Sequence, residues 1–119
     1  MNANEFAESY LEVWKVSDDG ERSALMEKLF TEDAVHHISP ADVSFAGRAE
    51  VEANIARVHK DNIAAFGLQF RVGTAVRNSN SIQLPWEIAS PAGDTVKSGT
   101  DFFLLAEDGR ISALYMFQS

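Results

Sequence analysis

Apolar residues in the first part of the chain recur at helical spacing. Phe6, Tyr10, Val13 and Trp14 stand at i, i+4, i+7 and i+8, which places all four on one face of a helix. Asn2, followed three positions later by Glu5, resembles a capping box at the start of that helix. Ser17-Asp-Asp-Gly20 ends it and caps a second helix, whose apolar side holds Leu25, Met26, Leu29 and Phe30. A short strand, Ala34 to Ile38, is expected next. Pro40 interrupts the pattern, and Gly47 introduces a third helical stretch with Val51, Ile55 and Val58 on one side.

From about Phe66 the residues favour strands, punctuated by Asn78-Ser-Asn-Ser81, Pro91-Ala-Gly-Asp94 and Asp108-Gly109. Asp-Gly between strands signals a hairpin, because both central residues of a type I′ turn need positive φ. Three turns predict four consecutive antiparallel strands. Pro85 cannot donate to a ladder, so a bulge or an edge position is expected there. Helices followed by a meander predict an α+β fold, with three helices packed on one face of a curved, mainly antiparallel sheet. Neither a repeat nor a linker is visible, so residues 1–119 read as one domain.

Length and composition narrow the function. A chain of 119 residues supports one hydrophobic core. Its net charge of −8, with Lys and Arg scattered, argues against a nucleic-acid partner. With no cysteine there is neither a disulfide nor a thiolate zinc site nor a thiol nucleophile. The N-terminus lacks the basic start and apolar run of a secretory signal, and no stretch approaches the ~18 apolar residues of a membrane span. A soluble, cytoplasmic protein without a membrane role is the expectation.

Asp101 is the most informative residue. In Ser98-Gly-Thr-Asp-Phe-Phe-Leu-Leu105 it alternates with Phe103 and Leu105, while Phe102 and Leu104 take the other face. Both faces are apolar, so the carboxyl is expected to be buried with a raised pKa. Tyr10, on the apolar face of the first helix, is expected to pack toward the same sheet. A structural Asp and a core tyrosine are the plainer readings of each residue alone. His36 and His37 are candidates for a proton acceptor because imidazole titrates near neutrality. Strand alternation sends them to opposite faces. That same divergence disfavours a metal shell built from Asp33, His36 and His37, so neither metal nor cofactor is expected. Neither a phosphate-binding glycine loop nor a serine-nucleophile elbow is present.

The order helix, helix, strand, helix, four strands resembles the nuclear transport factor 2-like superfamily, in its SnoaL-like and ketosteroid isomerase-like branch. Phe30-Thr-Glu-Asp-Ala-Val35, Gly47, Gly99-Thr-Asp-Phe102 and Asp108-Gly-Arg-Ile111 carry the resemblance, which spans nearly the whole chain. It implies a cone enclosing one apolar pocket. In ketosteroid isomerase a first-helix tyrosine and a protonated aspartic acid donate hydrogen bonds to a developing enolate oxygen. Tyr10 and Asp101 resemble those donors in position. In SnoaL-like cyclases such an aspartate is read instead as an acid/base. The isomerase's carboxylate base is unmatched, with Ile38 and Ser39 at its place; the resemblance implies a histidine in its stead, and His37 is preferred because it shares a face with Ser39. An Arg-x-Asp pattern of related epoxide hydrolases is unmatched too, since Gly99 stands two before Asp101.

The resemblance also turns Trp86, Ile88, Leu114 and Met116 inward, beside Trp14 and Phe103, as a wall suited to a flat, apolar or aromatic ligand. On the outer face Phe102, Leu104, Tyr115 and Phe117 form an apolar surface, for which a homodimer through the sheet is the simplest cover. Two functions remain open. One is a cofactor-independent isomerase, cyclase or lyase using Tyr10, Asp101 and His37. The other is a non-catalytic ligand-binding or dimerising module.

Overall fold

A computed structural model describes residues 1–119. Helix α1 (Ala3–Lys15) starts at the expected capping box: the Glu5 amide donates to Asn2 Oδ1 at 2.8 Å and the Asn2 amide to Glu5 Oε1 at 3.3 Å. It buries Phe6, Tyr10, Val13 and Trp14, the four residues at helical spacing. Helix α2 (Asp19–Leu29) is capped by Asp18, which accepts from the Glu21 amide at 2.8 Å. Strand β1 (Phe30–Ser39) is longer than its apolar core predicts and carries a bulge between Phe30 and Val35. Helix α3 (Arg48–Val58) buries Val51, Asn54 and Ile55 and runs into a π-helical segment, His59–Ala64.

The other strands are β2 (Val43–Ala46), β3 (Gln69–Val72), β4 (Val76–Asn78), β5 (Ser81–Ala89), β6 (Thr95–Leu105) and β7 (Ile111–Gln118). They form one seven-stranded sheet in the order β2-β1-β7-β6-β5-β3, with β4 also on β5. All pairings are antiparallel except β1 with β7, which is parallel. The α+β class, the helices and the three turns agree with the sequence pattern. Strand β2, read from sequence as loop, is a difference.

The stretch after Phe66 is two short strands rather than one, and Pro85 explains why. It faces the break between β3 and β4, where its carbonyl accepts from the Gly73 amide at 2.8 Å. A ladder position without an amide donor is tolerated where the neighbouring strand is interrupted. The helices close over one face of the sheet, and 21 buried residues from both layers form the core. No helix is long and apolar enough to cross a membrane.

Candidate functional site

The inner face of the sheet can be read row by row from the register. Ile38 on β1, Met116 on β7, Asp101 on β6 and Leu84 on β5 form one row. His36, Leu114, Phe103 and Ile82 form the next. Asp101 and Tyr10 are both fully buried and meet as the sequence suggested. Tyr10 Oη donates to Asp101 Oδ2 at 2.6 Å, and Trp86 Nε1 donates to Oδ1 at 2.8 Å. Burial pushes the Asp101 carboxyl up to about 7, against the lowering effect of those two bonds. Burial, then the Asp101 charge, holds the Tyr10 hydroxyl well above its ordinary value.

A cavity of about 310 Å³ opens above this pair, at the small end of the roughly 300–1,000 Å³ typical of ligand pockets. Ten of its 14 lining residues are hydrophobic, so its chemistry rests on few polar groups. Trp14 and Phe70 are parallel within 1° at 5.4 Å between centroids, and Phe70 continues to Trp86 at 5.7 Å and 15°. Trp14, Trp86, Ile88 and Met116 line this cavity. Trp86 connects the cavity to the buried pair, with its ring in the wall and its Nε1 on Asp101.

Other expectations require correction. Tyr10 and Asp101 lie behind the wall and not on it. Phe103 and Leu114 are buried in the deeper row, where Phe103 meets Phe6 at 4.9 Å and Tyr10 at 4.8 Å, both edge-on. Helix α1 fills that space with rings, leaving no room for a ligand.

His37 faces away from the cavity. It stacks on Tyr115 at 5.0 Å, and its Nδ1 is 2.7 Å from Ser44 Oγ. The inward residues of β1 are His36 and Ile38, because Ile38, not Ser39, belongs to the cavity wall. His36 is fully buried, edge-on to Trp14, and neither ring nitrogen has a hydrogen-bond partner. Burial, then the adjacent His37, lowers its pKa to about 4. Trp14 Nε1 is also buried without a hydrogen-bond partner.

Gly99, the departure from Arg-x-Asp, has a packing reason. A Cβ there would come within 2.6 Å of Trp86 Cζ2, 2.8 Å of its Cε2 and 2.5 Å of the Phe117 carbonyl oxygen. The absent side chain lets the Trp86 ring lie against β6 and reach Asp101.

Among the lining residues that escaped the sequence reading are Asn54, Phe70, Lys97 and Gln118. Asn54 was recoverable, since it falls at i+3 from Val51 and one before Ile55 on the apolar face of α3. Phe70 shows its inward direction only through the alternation of a four-residue strand.

The sequence model of the SnoaL-like domain matches residues 7–114. A candidate isomerase of the SnoaL-like family from Agrobacterium tumefaciens is 26% identical, with a TM-score of 0.83 over 98% of this chain and 97% of that one. A protein of ketosteroid isomerase-like fold from Catenulispora acidiphila, solved in complex with trimethylamine, is 14% identical with a TM-score of 0.75, covering 99% and 88% of the two chains. A candidate SnoaL-like polyketide cyclase from Jannaschia sp. CCS1 is 13% identical with a TM-score of 0.69, covering 98% and 87%. Among curated proteins no match is found. With the fold and residues 7–114 both matching, the chain belongs to the SnoaL-like family of the nuclear transport factor 2-like superfamily.

Proposed function

We propose that this protein binds a small, flat, lipophilic ring compound in the cavity walled by Trp14, Phe70 and Trp86. The observation that carries this reading is the aromatic stack itself, three rings in succession forming one wall of a mainly hydrophobic cavity. Such a wall offers dispersion and π contact to a planar ligand. Titration calorimetry with a panel of one- and two-ring aromatics, together with mass spectrometry of compounds extracted from purified protein, tests it. Binding weakened at least tenfold by Phe70→Ala is the expected result. Absence of binding across the panel and of any extracted compound refutes it.

Asp101 favours a second reading, in which the same cavity is an active site. A buried carboxyl titrating near neutrality, one hydrogen bond behind the wall, suits proton exchange with a carbonyl-bearing ring once Trp86 turns aside. Tyr10 and protonated Asp101 would then donate to the developing oxyanion, giving cofactor-independent isomerase, cyclase or lyase chemistry. His37, on the opposite face of the sheet, takes no part, and solvent water accepts the balancing proton. For an identified substrate, Asp101→Asn is expected to lower kcat by at least ~100-fold. Unchanged turnover returns the protein to the binding reading. The outer face, with Phe102, Leu104, Tyr115 and Phe117, is the surface on which a second copy packs in either case.

A further inference from the structure

The polar groups of the cavity wall are three amides, Asn54, Asn62 and Gln118, and one cation, Lys97. The chain carries 18 acidic side chains against 10 Lys and Arg, yet none of those carboxylates is on the wall, and one lysine is. Lys97 is an exposed residue of β6 on the same sheet face as Gly99, opposite Ile88, which is itself part of the wall. The salt bridges of the protein lie elsewhere and leave its ammonium unpaired.

Asn54 adds a second donor. Its Oδ1 accepts a 2.6 Å hydrogen bond from Arg57. A guanidinium can only donate, so the atom facing it must be the oxygen, and the NH₂ end is the one left over. Asn54 is 4% exposed, lines the cavity, and makes no hydrogen bond through that NH₂. An ammonium and an oriented amide donor, with no carboxylate to answer them, call for a ligand that accepts and carries negative charge. A cationic ring would meet Lys97 with no compensating acid. A neutral ring would leave the exposed ammonium to water alone.

We infer that the ligand of this cavity is a ring compound bearing a carboxylate, its ring against the Trp14–Phe70–Trp86 wall and its acid toward Lys97. This rests on the cavity being the ligand site. The overall charge of −8 makes the inference sharper, since a general electrostatic attraction for anions is absent.

The test is calorimetric titration of the intact protein with 2-naphthoate, 2-naphthalenemethanol and 2-naphthylmethylammonium. These probes share a ring and differ in charge. At low salt the carboxylate is expected to bind about three- to tenfold more tightly than the alcohol, the range for a partly exposed charge contact. The cation is expected to bind most weakly, and the preference is expected to shrink at 0.5 M salt. Lys97→Met should abolish the preference while leaving the affinity for the alcohol within about twofold, and Lys97→Arg should keep it. Equal binding of the three probes, or a preference that survives in Lys97→Met, overturns the carboxylate assignment and leaves the cavity as the ligand site. Failure of all three to bind overturns both.

Discussion

Asp101 and His36 lie buried in adjacent rows of the inner face, and their protonation equilibria act on stability in opposite senses. Asp101 is raised from 3.8 to about 7, so between those values the folded protein holds a proton that the unfolded chain has released, and stability falls as pH rises. His36 is lowered from 6.5 to about 4, so over that interval the unfolded chain holds the extra proton, and stability falls as pH drops. The two slopes, each on the order of 1.4 kcal/mol per pH unit, offset each other between about pH 4 and 6.5. Urea unfolding of Asp101→Asn is expected to show stability rising by roughly 2–3 kcal/mol from pH 4.5 to 6.5 relative to the parent. His36→Phe should show a fall of similar size. Parallel profiles for the variants and the parent would refute the coupling.

Gly99 gives a second expectation at this scale. The Cβ of Gly99→Ala cannot fit beneath the Trp86 ring, so the variant should lose about 1–3 kcal/mol in thermal or urea unfolding and show altered tryptophan fluorescence. Much of this chemistry was legible in the sequence. Apolar residues in both phases around Asp101 announced its burial, and the spacing of α1 placed Tyr10 toward the sheet. The choice between His36 and His37 was not legible, because it turns on which neighbour anchors the alternation. Ser39 suggested one phase, and Ile38 on the cavity wall with fully buried His36 imposes the other.

Among the elements, α1 and α2 are joined by a buried cation that periodicity does not reveal. Arg22 is 1% exposed, and its Nε donates to the Val13 carbonyl at 3.0 Å. Its Nη2 donates to the Val16 carbonyl, and Nη1 meets Asp19 at 2.9 Å. These bonds satisfy carbonyls at the C-terminal end of α1 that have no amide of a following turn to accept from. Arg22→Met should therefore cost about 3 kcal/mol, as expected when buried acceptors lose a charged partner. Asn2→Ala, which removes the cap, should cost about 1 kcal/mol. Measured costs in the reverse order would mean that the α1–α2 junction is not held by Arg22.

The elements that escaped sequence reading share a cause. Strand β2 is four residues long and mostly exposed, so backbone pairing with β1 defines it and hydrophobic pattern does not. The break between β3 and β4 depends on Pro85 in the neighbouring strand, a relation that local sequence cannot display.

For the whole molecule, the outer sheet face bears on association. Phe117 is 54% exposed beside half-buried Tyr115 and Phe102, and the latter two rings lie 6.3 Å apart. Sedimentation velocity should show a dimer that Phe117→Asp converts to monomer, and a parent protein that sediments as a monomer would exclude pairing through this face. The cone itself was foreseeable from element order, since amphipathic helices followed by a meander have few ways to bury both layers.

The parallel pairing of β1 with β7 was not foreseeable in this way. It joins Val35 to Ala113 and Ile38 to Met116, so the first strand waits for the last. During synthesis from the N-terminus, α1, α2, β1, β2 and α3 all emerge before β7, the partner on the central side of β1, exists. Their apolar faces and the open edge of β1 stay uncovered until nearly the whole domain has left the ribosome. The nascent chain is thus kept from early completion and exposed to mispairing or chaperone capture over most of its translation.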